Sequence, residues 1–163
     1  MEPGLKSNLT ETEKQMKTAR EIMTRNVVTV KKDQPISDLS KLFIENHFNG
    51  VPVLDDAGKV IGVVTQSNLI EQNKNLHIPT VIALFDAVLF LESEKKFESD
   101  VKKLTGSKIG DIYHKNPITV SPDTELNEIT TIMAEKDVHT LPVLENDKLV
   151  GIIGKKDVIR AMA

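Results

Sequence analysis

Apolar residues fall into two kinds of run along this chain. Val27–Val30, Gly50–Leu54 and Val60–Val64 are short runs rich in β-branched residues and predict strands. Between the first two, Ile36, Leu39, Leu42 and Phe43 recur at helical spacing and form one apolar face. Asp33-Gln34-Pro35 ahead of them reads as a helix start, a capping acid followed by Pro in the first turn. Asp55-Asp56-Ala57-Gly58 is a turn that makes the second and third strands a hairpin. A second helix is predicted from about Gln66 to Asn73.

The same succession then returns. Glu21 through Leu54 aligns with Asp111 through Leu144 at an offset of 90 residues: Val30 falls on Val120, Leu39 on Ile129, Phe43 on Met133 and Pro52 on Pro142. In the second copy the counterpart of the Ile36–Phe43 helix carries Leu126, Ile129, Ile132 and Met133 at the same spacing. One residue is lost in the hairpin turn, where Asn146-Asp147 is shorter than its counterpart, and the offset becomes 89, so Gly62 falls on Gly151 and Asn68 on Asp157. A deletion placed in a turn, with the register kept on both sides, marks an internal duplication.

The order is β-α-β-β-α, twice. The first two strands of each copy, joined through a helix, form a parallel pair with a right-handed crossover. A three-stranded sheet with helices on one face buries little alone, whereas two copies packed together close a core. The predicted class is therefore α/β (α+β), two repeats related by pseudo-two-fold symmetry with a helical insert between them. The expected organisation is a flexible or loosely helical tail over 1–17, repeats over 18–71 and 107–163, and an insert over 72–106. In the insert, Pro79 is expected to open a helix bearing Val81, Ile82, Leu84, Phe85, Val88, Leu89 and Leu91, followed by the charged stretch Glu92–Lys103.

Composition narrows the function classes. The 163 residues carry 21 Lys plus Arg against 24 Asp plus Glu, a net charge of −3, which disfavours nucleic-acid binding by bulk charge. Aromatics are 4% with no Trp, so a stacking platform for bases is not expected. With no Cys, disulfides, thiolate zinc sites and Cys nucleophiles are excluded, in keeping with a reducing cytosol and a cytoplasmic protein. The apolar stretch Leu76–Leu91 is interrupted by His77, Pro79 and Asp86 and falls short of the ~18–20 apolar residues of a membrane span, so no membrane segment is expected. His47, His77 and His114 have no partner at metal-ligand spacing, and no metal site is expected. No phosphate loop, nucleophile elbow or paired-carboxylate motif is present, so no catalytic residue and no catalytic cofactor is assigned.

Three motifs carry a resemblance. They are the strands FNGVPV and VHTLPV, the closing segments GVVTQSN and GIIGKKD, and Met23-Thr24 in EIMTRNVVTV. In a duplicated frame they resemble the CBS domain, of which two form a CBS pair or Bateman module. The resemblance covers residues 18–71 and 107–162. It implies a regulatory module that binds an adenosine compound (AMP, ADP, ATP or S-adenosylmethionine) in clefts between repeats, each cleft taking its ribose-binding turn from one repeat and its base pocket from the other. It also implies pairing of modules, hence a homodimer, and a regulated partner protein that the sequence does not name.

Carried over by position, the favoured cleft joins Ile152 and Asp157 to Met23, Asn26, Val27 and Val28, and to Phe48, Asn49 and Gly50. The second joins Thr65 and Asn68 to Tyr113, Asn116, Pro117 and Ile118, and to Val138, His139 and Thr140. Each departs from the family pattern. The first keeps Asp157 but has Gly154 where Ser or Thr is usual; the second keeps Thr65 but has Asn68 in place of Asp. An ionised Asp157 can accept from two ribose hydroxyls, while Asn68 bonds without charge assistance. The two sites are therefore expected to be unequal. Lys155 and Lys156 add positive charge beside Asp157, and His139 is placed to meet phosphate.

Plainer readings stand beside these. Asp157 can serve as a helix cap. Val27, Val28, Ile118 and Ile152 can be core. The clefts can be degenerate and empty, leaving a structural or protein-interaction module whose insert is the contact surface. The apolar insert either caps the module or packs against a second chain.

Overall fold

In a computed structural model the protein is described over residues 16–74, 81–84, 87–90 and 107–163. The elements in chain order are α1 (Ala19–Ile22), β1 (Val30–Lys31), α2 (Ile36–Asn46), β2 (Gly50–Leu54), β3 (Val60–Thr65), α3 (Gln66–Lys74), β4 (Val81–Leu84), β5 (Ala87–Phe90), a 3-10 turn (Ile109–Asp111), β6 (His114–Lys115), α4 (Leu126–Glu135), β7 (Thr140–Glu145), β8 (Lys148–Gly154) and α5 (Lys155–Met162).

The first sheet runs β1-β2-β3-β6. β1 is parallel to β2, with Val30 opposite Val53, and β2 is antiparallel to β3, with Val51 opposite Val64. The second sheet repeats this arrangement. Val120 bridges Val143 in parallel, β7 pairs antiparallel with β8, and Thr24 bridges Ile152. The ladder shifts register between Val53 and Leu54, and again between their counterparts Val143 and Leu144.

The units that pack together differ from the units that repeat. Ala19 and Met23 belong in sequence to the first repeat, yet they lie in the core of the second with Ile129, Leu141, Val143 and Ile153. Ile109 leads into the second repeat, yet it packs with Leu39, Phe43, Val51 and Val53 of the first. Burial of a side chain the size of Met23 or Ile109 contributes roughly 1.5–3 kcal/mol. Hydrogen bonds follow the same exchange. The Ala19 amide donates to the Thr124 carbonyl and the Leu126 amide to Lys17, while the counterpart Ile109 amide donates to Gln34 and the Ile36 amide to Ser107. Each helix of the α2 and α4 kind thus has its first amide satisfied by the lead-in segment of the other repeat.

Two glycines permit the crossing. Gly62 of β3 and Gly151 of β8 are equivalent positions. A Cβ on Gly62 would collide with the His114 carbonyl and the Tyr113 ring, and one on Gly151 with the Met23 side chain.

Three local expectations change. The strand expected over Val27–Val30 shrinks to Val30–Lys31, because the ladder begins only where Val53 stands opposite; Val28 is 36% exposed. The helix expected around Asp33–Pro35 begins at Ile36 with Pro35 at its cap and no side-chain cap bond, so Asp33 is not the capping acid. In place of the helix expected after Pro79, the described residues Val81–Leu84 and Ala87–Phe90 form an antiparallel pair, with Val81 opposite Phe90 and Ala83 opposite Val88. A short apolar run satisfies helical and strand periodicity alike, and β-branched Val81, Ile82 and Val88 favour the strand. The tail over 1–15 and the charged stretch Glu92–Lys103 lie outside the described residues.

Candidate functional site: two clefts between the repeats

Two cavities lie where the repeats meet. The first, about 270 Å³, is lined from one repeat by Asn26, Val28 and Phe48–Val51 and from the other by Ile152 and the start of α5. The second, about 710 Å³, is lined by Thr65 to Asn68 at the start of α3 and by Asn116–Ile118 and Val138–Thr140 from the other repeat. Each cleft thus combines a helix N-terminus of one repeat with a β-hairpin approach of the other, as the resemblance implied. Asn49, Thr140 and Lys155 line both.

Most of the residues singled out from sequence converge here. Asn26, Val28, Phe48, Asn49, Gly50, Ile152 and Asp157 line the first cleft. Thr65, Asn68, Asn116, Pro117, Ile118, Val138, His139 and Thr140 line the second. Met23 and Tyr113, which occupy equivalent positions, are placed elsewhere: they lie over Gly151 and Gly62 and pack into the two cores. Val27 is half-buried outside the cleft lining. Residues that the sequence did not assign to a cleft also line the first, among them Thr24, Asn46, His47 and Arg160. His47 closes α2 in the left-handed conformation, φ 55°, which turns the chain toward the cleft. Arg160 follows Asp157 by three residues on α5, a spacing that places both on one helix face.

The clefts differ in how their helix-start residue is held. Asp157 Oδ2 accepts from the Gly154 amide at 2.8 Å, and Oδ1 lies 3.8 Å from the Arg160 guanidinium. The side chain is 15% exposed and does cap α5, so capping and cleft lining coexist in one carboxylate. With about four lone-pair positions, the carboxylate keeps acceptor capacity after both contacts. In the second cleft the Asn68 oxygen accepts from the Thr65 amide at 2.9 Å and from the Thr65 hydroxyl at 3.0 Å. The Asn68 backbone amide in turn donates to that hydroxyl oxygen at 3.3 Å. His139 Nε2 stands 3.2 Å from Asp137 Oδ1 at the cleft rim. Among the described residues no group of His, Asp or Glu could hold a metal ion, and no helix is long and apolar enough to cross a membrane.

The duplicated frame, the swapped lead-in segments and the paired clefts coincide with a sequence match to the CBS domain at residues 19–74 and 109–163. The chain belongs to the CBS domain family. It is 27% identical over 151 residues to the uncharacterized protein MJ1426 of Methanocaldococcus jannaschii, covering 88% of this chain and 89% of that one. It is 30% identical over 158 residues to the CBS domain-containing protein CBSX1, chloroplastic, of Arabidopsis thaliana, covering 88% of this chain and 63% of that protein's length. Its fold superimposes on a crystal structure of CBSX2 in complex with AMP with a TM-score of 0.68 at 25% identity, covering 88% of this chain and 94% of the other. Two CBS repeats joined through an insert are therefore the architecture of this chain.

Proposed function

We propose that this CBS pair is a cytosolic regulatory module that binds an adenosine nucleotide in the first cleft and passes the binding energy to a partner through the arrangement of its repeats. The observation that carries this reading is the meeting of Asp157 with Asn26, Val28 and Phe48–Gly50 across the repeat boundary. Val28, Phe48 and Ile152 offer apolar walls to a base. The partly free carboxylate of Asp157 accepts from a ribose diol. Lys155, Lys156 and Arg160 at the same cleft complement a 5′-phosphate, and α5 directs its amide N-terminus there. The bound AMP in the CBSX2 complex supports the same ligand class. A ligand moves the repeats only through unequal affinity for two arrangements, so the regulated step is one in which this cleft opens or closes.

The module works as a homodimer. Ile70 on α3 and Ile159 on α5 are equivalent residues of the two repeats and are 69% and 65% exposed. Two apolar side chains presented at matching positions suit a second copy related by two-fold symmetry.

A melting-temperature panel with AMP, ADP, ATP and S-adenosylmethionine, followed by calorimetry on the best, tests the ligand class. A ligand at 100 times its dissociation constant stabilises the folded chain by ~2.7 kcal/mol, an increase readily measured at this size. No shift with any of the four would leave a scaffold with empty clefts as the reading.

A further inference from the structure

The two clefts present opposite hydrogen-bonding character at equivalent residues. In the second cleft both bonds from Thr65 end on the Asn68 oxygen, and one of them comes from a backbone amide, which can only donate. The oxygen is therefore Oδ1, and Asn68 keeps its Nδ2 amide group without a hydrogen-bond partner among the described residues. What this residue offers a ligand is a pair of N–H donors. Its counterpart Asp157 offers acceptors only. The exchange of Asp for Asn supplies the donors, and Thr65 completes the difference: its amide and hydroxyl fill both lone pairs of the Asn68 oxygen, whereas Gly154 has no hydroxyl to do the same at Asp157.

The surroundings of Asn68 agree with this polarity. Lys115, Lys136 and Lys155 line the cleft, against Glu71 and Asp137, and Asp137 is engaged with His139. The cleft also has more room than the first, about 710 Å³ against about 270 Å³. A ribose diol is held by a carboxylate through two charge-assisted O–H donations, whereas the Nδ2 group offers it only weaker neutral bonds in which the ribose oxygens accept. A phosphate ester at the same place is repelled by a carboxylate and accepted by an amide and lysines. Dinucleotide enzymes sort free from phosphorylated ribose by the same exchange of an acidic residue for donors.

We infer that the second cleft takes an adenosine compound whose ribose carries a phosphate on its 2′- or 3′-oxygen, while the first takes one with a free diol. This rests on the proposed function, that adenosine compounds occupy the clefts. His47 lines only the first cleft and His139 only the second, so their imidazole resonances report the two sites separately. The test is an NMR titration of the full chain with AMP, adenosine 3′,5′-bisphosphate, adenosine 2′,5′-bisphosphate and inorganic phosphate. At His139 one of the bisphosphates saturates at least about tenfold below AMP, and at His47 AMP saturates first. In Asn68→Asp the order at His139 reverses, with His47 unchanged. AMP equalling both bisphosphates at His139, or an unchanged order in Asn68→Asp, overturns the inference while leaving the first-cleft reading intact. Inorganic phosphate saturating His139 as early as the bisphosphates shows an anion site and overturns the nucleoside part. Silence of both histidines toward every adenosine compound overturns the proposed function as well.

Discussion

Gly50 and Thr140 hold the same place in the two repeats and face each other where the two clefts meet: a Cβ built on Gly50 would stand 2.9 Å from the Thr140 hydroxyl oxygen and 3.3 Å from its Cβ. The duplication is therefore unequal at its centre, with a bare backbone on one side and a buried β-branched side chain on the other. Gly50 is required for space rather than for its backbone angles. Gly50→Ala should cost about 1–3 kcal/mol, since Thr140 is stiff and Thr65 closes the other side at 3.2 Å. Thermal unfolding of Gly50→Ala measures this. Partial recovery in the Gly50→Ala, Thr140→Gly double variant identifies the clash as the cause.

The two crossing glycines should differ in tolerance. At Gly62 the obstacle to a Cβ is the backbone carbonyl of His114 and the rigid Tyr113 ring; at Gly151 it is the flexible thioether chain of Met23, whose Cγ would stand 2.8 Å from the added Cβ. Gly62→Ala is expected to destabilise more than Gly151→Ala, because Met changes rotamer where a peptide group cannot. Denaturant unfolding of the two variants gives the order, and equal losses would show that the Met23 side is no softer.

Asp157 has two roles that two substitutions separate. Asp157→Ala removes the bond to the Gly154 amide and should lower stability by about 0.5–2 kcal/mol. It also removes the acceptor proposed for ribose, and nucleotide affinity should fall at least about tenfold. Asp157→Asn keeps an oxygen for the Gly154 amide, so stability should be largely retained while affinity still drops. Calorimetry well below the melting temperature reads affinity free of unfolding. Wild-type affinity in both variants would leave Asp157 as a cap alone.

Ile70 and Ile159 test the homodimer. Light scattering on the unaltered chain should give twice the mass of one chain at micromolar concentration. Ile70→Lys with Ile159→Lys should shift it to a monomer with little change in unfolding, because both side chains already face solvent in one chain. A monomeric unaltered chain at every concentration would end the proposal.

The duplication, the β-α-β-β-α order and the helical face of Leu39 and Phe43 were determined by the sequence alone. Periodicity and turn chemistry are local properties, and a second copy in the same register corroborates the first. The convergence of Asn26, Phe48 and Asp157 was also legible, through the motifs rather than through periodicity. What each lead-in segment packs against was decided only by the tertiary structure. Met23 reads as part of the first repeat but covers Gly151 of the second, and Ile109 makes the reverse exchange. No local signal distinguishes packing within a repeat from packing across it, since both bury the same apolar area. The strand pair at Val81–Leu84 and Ala87–Phe90 replaced an expected helix for a related reason: four apolar residues in a row fit either period. The donor-only face of Asn68 was likewise invisible in the chain. It arises because Thr65 folds back to fill the amide oxygen, and only a folded turn brings those atoms within 3.0 Å.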